Sequence, residues 1–342
     1  MLGQLLRKCL GLIGQTLLTL RQPRKLFLAT EKTEKTVPPI IMDEHDNWEW
    51  WAKISVALAI VTIAAWCVGM LGLGSVSIIA QVAVIPLLGM CTMPMMFWGL
   101  LRTILRPPAI RKTRTIAFVT LLISAVWANT TLFAPPLTTE GWQSSHAYQL
   151  PFDGAWSVTA GGDDLTTNYH RSTAAYRWGY DFTKLVDNRP HLGDGTKNED
   201  HHSWSKPVLA PVSATVVFVE KSIADHPPGE PTTDGNPLGN HIVLQAAADE
   251  FVFLAHLQHG SVSIKVGDRV EAGQPIGAAG NSGHSVDPHI HMHGQNKASF
   301  PFAESLPIRF TRFESNGEIV ENMMPTGQTA WKKFDGVVVK NL

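Results

Sequence analysis

The sequence predicts a multi-pass α-helical membrane anchor of three spans followed by an all-β, sheet-rich domain. Three observations carry that expectation. Residues 54–101 contain no Asp, Glu, Lys or Arg, and neither do residues 115–139. Beyond Pro135-Pro136 the apolar residues fall instead into short alternating segments punctuated by glycine. The charge divides as well: 13 basic and 7 acidic residues through Glu140 are followed by 15 basic and 22 acidic ones, so the net charge of −1 averages two chemically different parts.

The N-terminal segment, 1–53, places Leu2, Leu5, Leu6, Cys9, Leu10, Ile13, Leu17 and Leu20 at helical spacing, consistent with an amphipathic helix on the inner membrane face. No small-residue cleavage site follows it, which argues against a cleaved signal peptide. A span needs about 20 apolar residues. The region 54–138 therefore accommodates spans near Ile54–Leu73, Ser77–Leu100 and Thr115–Ala134. The loop after the second span carries Arg102, Arg106, Arg111, Lys112 and Arg114 without an acid. Basic loops stay on the cytoplasmic side. The expected location is the inner membrane, with the N-terminus inside and the C-terminal part periplasmic or extracellular. No span contains Asp, Glu, Lys, Arg or His, which favours an anchor over a transport path.

Residues 139–149 read as a linker. After it, Pro207–Glu220, His241–Gln245, Glu250–His256, Val262–Val270 and His289–His293 read as strands, with glycines 239, 260, 267, 273, 277, 280 and 283 at turns. No basic run offers a footprint for nucleic acid. A composition with 11 Trp and 14 Phe excludes disorder. All three cysteines precede residue 92, so the C-terminal part holds no disulfide, whereas 13 of the 14 histidines follow Glu140.

The sharpest chemical signal is Pro288-His289-Ile290-His291-Met292-His293. Alternate strand residues face one side about 6–7 Å apart. His289 and His291 therefore point into one groove, with His293 a step further along as a bystander or a support. Spacing alone leaves a metal site and a satisfied polar edge equally open. His256, in Ala255-His256-Leu257, and the upstream pair His170 and Asp181 weigh toward metal. Two histidines and a carboxylate leave zinc an open position, as in catalytic sites.

The run from about Leu150 to Asn296 resembles the lysostaphin-like, LytM-type zinc metallopeptidases that cut peptidoglycan cross-links. The likeness rests on Pro207-Val208-Leu209-Ala210-Pro211, Gly239-Asn240-His241-Ile242-Val243, Leu254-Ala255-His256-Leu257, Val266-Gly267-Asp268-Arg269-Val270, Gly280-Asn281-Ser282-Gly283 and Pro288-His289-Ile290-His291. It implies a LytM-like peptidase domain over 150–298 with a C-terminal extension over 299–342. It also implies Zn2+ held by Asp181 and His291, with His256 and His289 catalytic. The sequence departs from the family pattern at Arg177, four residues before Asp181, because guanidinium offers a metal no lone pair. His170, in Asn168-Tyr169-His170, is the expected third ligand, with His201, His202 and His241 as fallbacks.

The resemblance implies a membrane-anchored zinc endopeptidase acting on peptidoglycan peptides. A catalytically inactive scaffold of the same fold, binding cell wall or regulating another hydrolase, is the competing expectation, and Arg177 is the feature that favours it. Any regulatory protein partner is unspecified by the sequence.

Overall fold

The computed structural model describes residues 50–70, 75–105, 119, 121–122, 142–173, 175–229, 235–329 and 337–342. The apolar N-terminal stretches form helices α1 (Trp50–Met70), α2 (Ser75–Ile79) and α3 (Ile85–Leu105), with a π-helical stretch at Ala80–Val84 between the last two. Among the described residues, no helix is long and apolar enough to cross a membrane. The expected three-span helical anchor, and a lipid bilayer crossed by those spans, therefore have no support in the structure. Absence of charge measures how apolar a stretch is, but not whether one unbroken helix forms from it. The expected second span is divided among α2, the π-helical stretch and α3, with Pro94 inside α3 removing a backbone donor. Apart from 119 and 121–122, the expected third span lies outside the described residues, as does the expected N-terminal amphipathic helix.

The helices make specific polar contacts instead. Ser77 Oγ donates to Val68 O at 2.7 Å, and the Gln81 amide donates to Gly69 O at 2.7 Å. The Gln81 carbonyl accepts from Arg177 Nη2 at 2.9 Å, joining the π-helical stretch to the β domain.

The β domain comprises β1 (Ala155–Ala160), β2 (Tyr180–Thr183), β3 (Pro207–Leu209), β4 (Ala214–Glu220), β5 (Asn240–Ala247), β6 (Glu250–Leu257) and β7 (Arg269–Val270). These are followed by β8 (Pro275–Ala278), β9 (Ile290–Gln295), β10 (Ser305–Leu306), β11 (Phe310–Ser315), β12 (Glu318–Met323) and β13 (Val338–Lys340). One antiparallel sheet runs in the order β12-β11-β13-β1-β2-β9-β6-β5-β4-β7, with β10 also pairing β9, and β3 pairs β8 separately. The expected strands at 207–220 and 262–270 are shorter than the sequence suggests. Turns at Pro211–Ser213 and before Arg269 interrupt them.

Alternation explains the layers. Trp156 and Val158 of β1, Tyr180 and Phe182 of β2, and Ile290 and Met292 of β9 project to one side and are buried, with Phe152, Phe310 and Phe313 packed among them. Phe152 stacks on Trp156 and meets Phe182 edge-on, each at 5.0 Å. Full burial of such a side chain contributes about 1.5–3 kcal/mol. The opposite face of β2, β6 and β9 is where the polar residues gather.

Residues read as linker are described from 142 onward. There Trp142 packs against the core, and the buried Glu250 carboxylate accepts from Ser144 Oγ and, at 3.2 and 2.9 Å, from Ser145 N and Oγ. The C-terminal extension places β10 to β13 in the same sheet. Asn341 closes it, its amide donating to Leu150 O at 3.0 Å and Phe152 O at 2.7 Å.

Candidate metal centre

The register of the central strands assembles the site. Asp181 on β2 and Ala255 on β6 both stand directly opposite His291 on β9, so the Asp181 and His291 side chains emerge together and His256 follows immediately. Asp181 Oδ1 lies 2.8 Å from His291 Nδ1, and Asp181 Oδ2 lies 3.0 Å from His170 Nε2. All three residues are buried, and one ligand atom from each falls within 4.8 Å of the others.

His170 reaches this point from a 3-10 turn, Tyr169–Ser172, capped by Asn168. The Asn168 side chain is wholly buried. Its carbonyl accepts from His170 N at 3.1 Å, while its amide donates to Gly162 O at 2.9 Å and Gly179 O at 3.2 Å. One side chain thus ties the His170 turn to the chain entering β2. A Cβ on Gly179 would meet Tyr176 O at 2.9 Å, His291 Cε1 at 3.1 Å and His170 Cδ2 at 3.2 Å, so only glycine lets both imidazoles close on Asp181.

His256 and His289 stand at the rim of the same cleft, a cavity of about 580 Å³ that also takes in Tyr169, Tyr176, Phe300 and Gln328. His256 has φ +59°, the left-handed region that costs a non-glycine residue roughly 1–3 kcal/mol and recurs at functional sites. Its Nδ1–H donates to Ser282 O at 2.9 Å, which leaves Nε2 with a lone pair. His289 lies just before β9 and donates from Nδ1 to Asp287 O at 2.7 Å, with Nε2 3.6 Å from Asp181 Oδ1. The His256 and His289 rings are 4.9 Å apart.

Charge follows from these contacts. Burial opposes ionisation of Asp181, but His170 and His289 outweigh it and hold the carboxyl well below its usual range. His256 is pushed well below its ordinary value by burial and then by the neighbouring His289 and His291. Burial also lowers His291, to about 4, against the pull of Asp181. His289 goes the other way: burial works against its charged form, and Asp181 raises it regardless.

The structure brings together all five residues expected from the sequence. Arg177 is buried, but it sends its guanidinium to Gln81 and is not part of the cluster, whereas His170 is. Of the fallbacks, His201 approaches Gly195 O at 3.0 Å and His241 stacks on Phe218 at 5.0 Å. Neither they nor His202 join the metal-ligating group found among the described residues. Ser282, in the turn Gly280-Asn281-Ser282-Gly283, is buried, and its hydroxyl donates to Leu257 O at 2.8 Å, so the turn is structural.

Sequence reasoning assigned no role to Tyr169. Its ring is largely exposed, yet its hydroxyl end turns inward and donates to Asp181 Oδ2. Enclosure of that end and the Asp181 charge raise the phenol well above its usual value. Its position beside His170 was the available signal.

The antiparallel sheet thus holds a buried His-Asp-His cluster facing two further histidines, and sequence comparison shows what this part of the chain resembles. Residues 200–301 match the model of Peptidase family M23, a match that supports a LytM-like family for this part of the chain. It is 34% identical over 70 residues to lysostaphin of Staphylococcus staphylolyticus, covering 20% of this chain and 15% of that protein. It is also 32% identical over 157 residues to the peptidoglycan DD-endopeptidase ShyA of Vibrio cholerae, covering 43% of this chain and 33% of that protein. The matched region thus spans a third or less of these curated relatives. Among solved structures, the lysostaphin catalytic domain of Staphylococcus simulans aligns at 21% identity and a TM-score of 0.26, over 49% of this chain and 90% of that one.

Proposed function

We propose that this protein is a zinc-dependent endopeptidase that hydrolyses peptide bonds of peptidoglycan, and that the β domain works outside the cytoplasm, where that polymer lies. The observation that carries this reading is the buried cluster of His170, Asp181 and His291 beneath the rims formed by His256 and His289. The domain's match to Peptidase family M23 supports it, as does the similarity to ShyA, a peptidoglycan DD-endopeptidase.

The donor set fits zinc. It offers two imidazole nitrogens and one carboxylate, the three-ligand pattern of catalytic sites, and His170 Nε2 and His291 Nδ1 both face the Asp181 carboxylate at 3.0 and 2.8 Å. When bound, zinc supplies a Lewis acid that lowers the pKa of its water to about 7 and polarises a carbonyl. His170, Asp181 and His291 would hold it.

The remaining residues handle protons. His256 is neutral because of its burial, and its Nδ1–H is committed to Ser282 O, so its free Nε2 accepts the proton of the attacking water. Asp181 favours the protonated form of His289, which in that form presents Nε2–H to the oxygen on which negative charge develops. Tyr169 holds Asp181 from the solvent side.

The test uses the full-length chain. It should retain about one zinc and release peptides from purified peptidoglycan in a chelator-sensitive manner. Binding of wall material without zinc and without cleavage would overturn the reading in favour of the inactive scaffold. A reporter fused after Leu342 that is active only in the cytoplasm would overturn the location.

A further inference from the structure

His293 is the one histidine of the Pro288–His293 run that does not reach the cleft. It is fully buried on β9, two residues beyond His291 and on the same face. Its cross-strand partner is Phe253, on which its ring stacks at 4.6 Å and 11°, and Tyr176 and Phe300 close over it at 5.8 and 6.1 Å. Inside this aromatic box its Nδ1 lies 2.9 Å from His291 Nε2, and its own Nε2 has no hydrogen-bond partner among the described residues.

An imidazole with one polar contact in an apolar box is an expensive choice for packing alone, because an unpaired buried N–H costs about 1–3 kcal/mol. The contact it does make falls on the nitrogen of His291 that faces away from Asp181. That position matters because a neutral histidine carries one proton, and the nitrogen without it is the one that binds metal. His291 Nδ1 faces Asp181 in the cluster, so it offers a metal its lone pair only when the proton sits on Nε2.

We propose that His293 is a positioning residue of the metal centre. Its Nδ1 accepts the Nε2–H of His291, fixing the tautomer and ring orientation that present His291 Nδ1 as a ligand. The inference rests on the reading of His170, Asp181 and His291 as a metal site. A neutral imidazole also acts in the opposite sense. Without metal, His291 Nδ1–H donates to Asp181, and His293 turns donor through Nδ1–H to satisfy the Nε2 lone pair. Metal binding therefore shifts both protons along the pair. An aliphatic side chain supports neither state, whereas an amide accepts from His291 in the metal-bound one.

The test is zinc affinity of the full-length chain, read by chelator competition and by the visible spectrum of the cobalt-substituted protein. His293→Leu keeps the volume and removes the acceptor, and should weaken zinc about 10–100-fold, the usual cost of losing such a support. His293→Gln should recover most of that loss, with a cobalt spectrum close to wild type. Circular dichroism of the metal-free proteins establishes that both variants fold. Equal affinity in wild type and His293→Leu overturns the proposal, and so does an equal loss in Leu and Gln, which would mark a packing role. Should His293→Leu fail to fold, 15N imidazole shifts of the zinc-loaded wild type decide the matter. They should show His291 protonated at Nε2, and protonation at Nδ1 overturns the proposal. A folded wild type that binds no zinc instead defeats the metal site itself.

Discussion

The carbonyl oxygen of Ser282 lies 2.9 Å from Nδ1 of His256 and joins two segments separated by 26 residues. The carbonyl is placed by crowding. Gly239 has φ +59°, and a side chain there would overlap Ser282, while Asn240 N donates to Ser282 Oγ at 2.9 Å. His256 makes no ligand contact in the cluster, so His256→Ala should lower kcat about 10²–10⁴-fold, the range of a lost general base, and leave zinc content unchanged. Gly239→Ala should lower kcat in the same direction by displacing the Ser282 carbonyl. Zinc loss in His256→Ala, measured by elemental analysis, would contradict the assigned role.

His170 and Arg177 should separate cleanly. His170→Ala is expected to abolish zinc retention after dialysis. Arg177→Met breaks the bond to Gln81 and is expected to cost about 1–3 kcal/mol of stability, yet keep one zinc per chain. Thermal melting and metal analysis of both variants provide the check, and full occupancy in His170→Ala would move the ligand elsewhere.

Much of this was legible in the sequence, and the exceptions have physical causes. The five polar residues lie within recognisable local motifs, so the resemblance marked them individually, and strand alternation put His289 and His291 on one side. Asn168 was visible only as part of Asn168-Tyr169-His170. Its task of bonding Gly162 and Gly179 depends on a turn that pattern does not specify. Residues 139–149 read as a linker, because nothing local reveals a buried acid more than a hundred residues away. The charge-free run at 54–101 was read as two membrane spans, but none of its described helices is long and apolar enough to cross a membrane, and composition does not register the π-helical interruption.

Gly179 should be intolerant of any side chain. Gly179→Ala places a methyl group between His170 and His291, and the expected result is weaker zinc binding with the sheet intact. Unchanged affinity, measured by chelator competition, would show that the imidazoles have room to retreat.

Acid should destabilise the metal-free protein. His256, His291 and His293 are all lowered by burial, so an unfolded chain with ordinary values near 6.5 takes up more protons at these sites. Their contribution to stability is complete above 6.5 and is lost as the pH falls, toward about 4 for His291. His289 has the opposite sign, its contribution being present below 6.5 and lost as the pH rises through its raised value. Depressed sites outnumber the raised one, so stability should fall by roughly 1 kcal/mol per pH unit for each net proton taken up. Urea midpoints with chelator at pH 7, 6 and 5 test this, and a midpoint that rises on acidification would contradict it.

Glu250 should matter for the entry into the domain. Removing the buried acceptor of Ser144 and Ser145 by Glu250→Ala leaves those donors without it, at a cost of about 1–3 kcal/mol. Limited proteolysis should then cut near residues 142–147 faster than in wild type.

The place of β13 sets a timetable for the molecule. Ser157 pairs with Val338, and Asn341 clasps Leu150 and Phe152, so a strand translated about 180 residues after its neighbour fills a central gap in the sheet. On the ribosome, β1 emerges well before the piece that pairs with it, and β11 shortly before it. Until it arrives, β1 keeps an open edge on the side away from β2, and the nascent sheet carries its aromatic layer partly uncovered. The histidines are all in place by residue 293, but the strand between β1 and β11 comes only at 338–340, so a ribosome stalled between these points holds the reactive groups without a closed sheet beneath them.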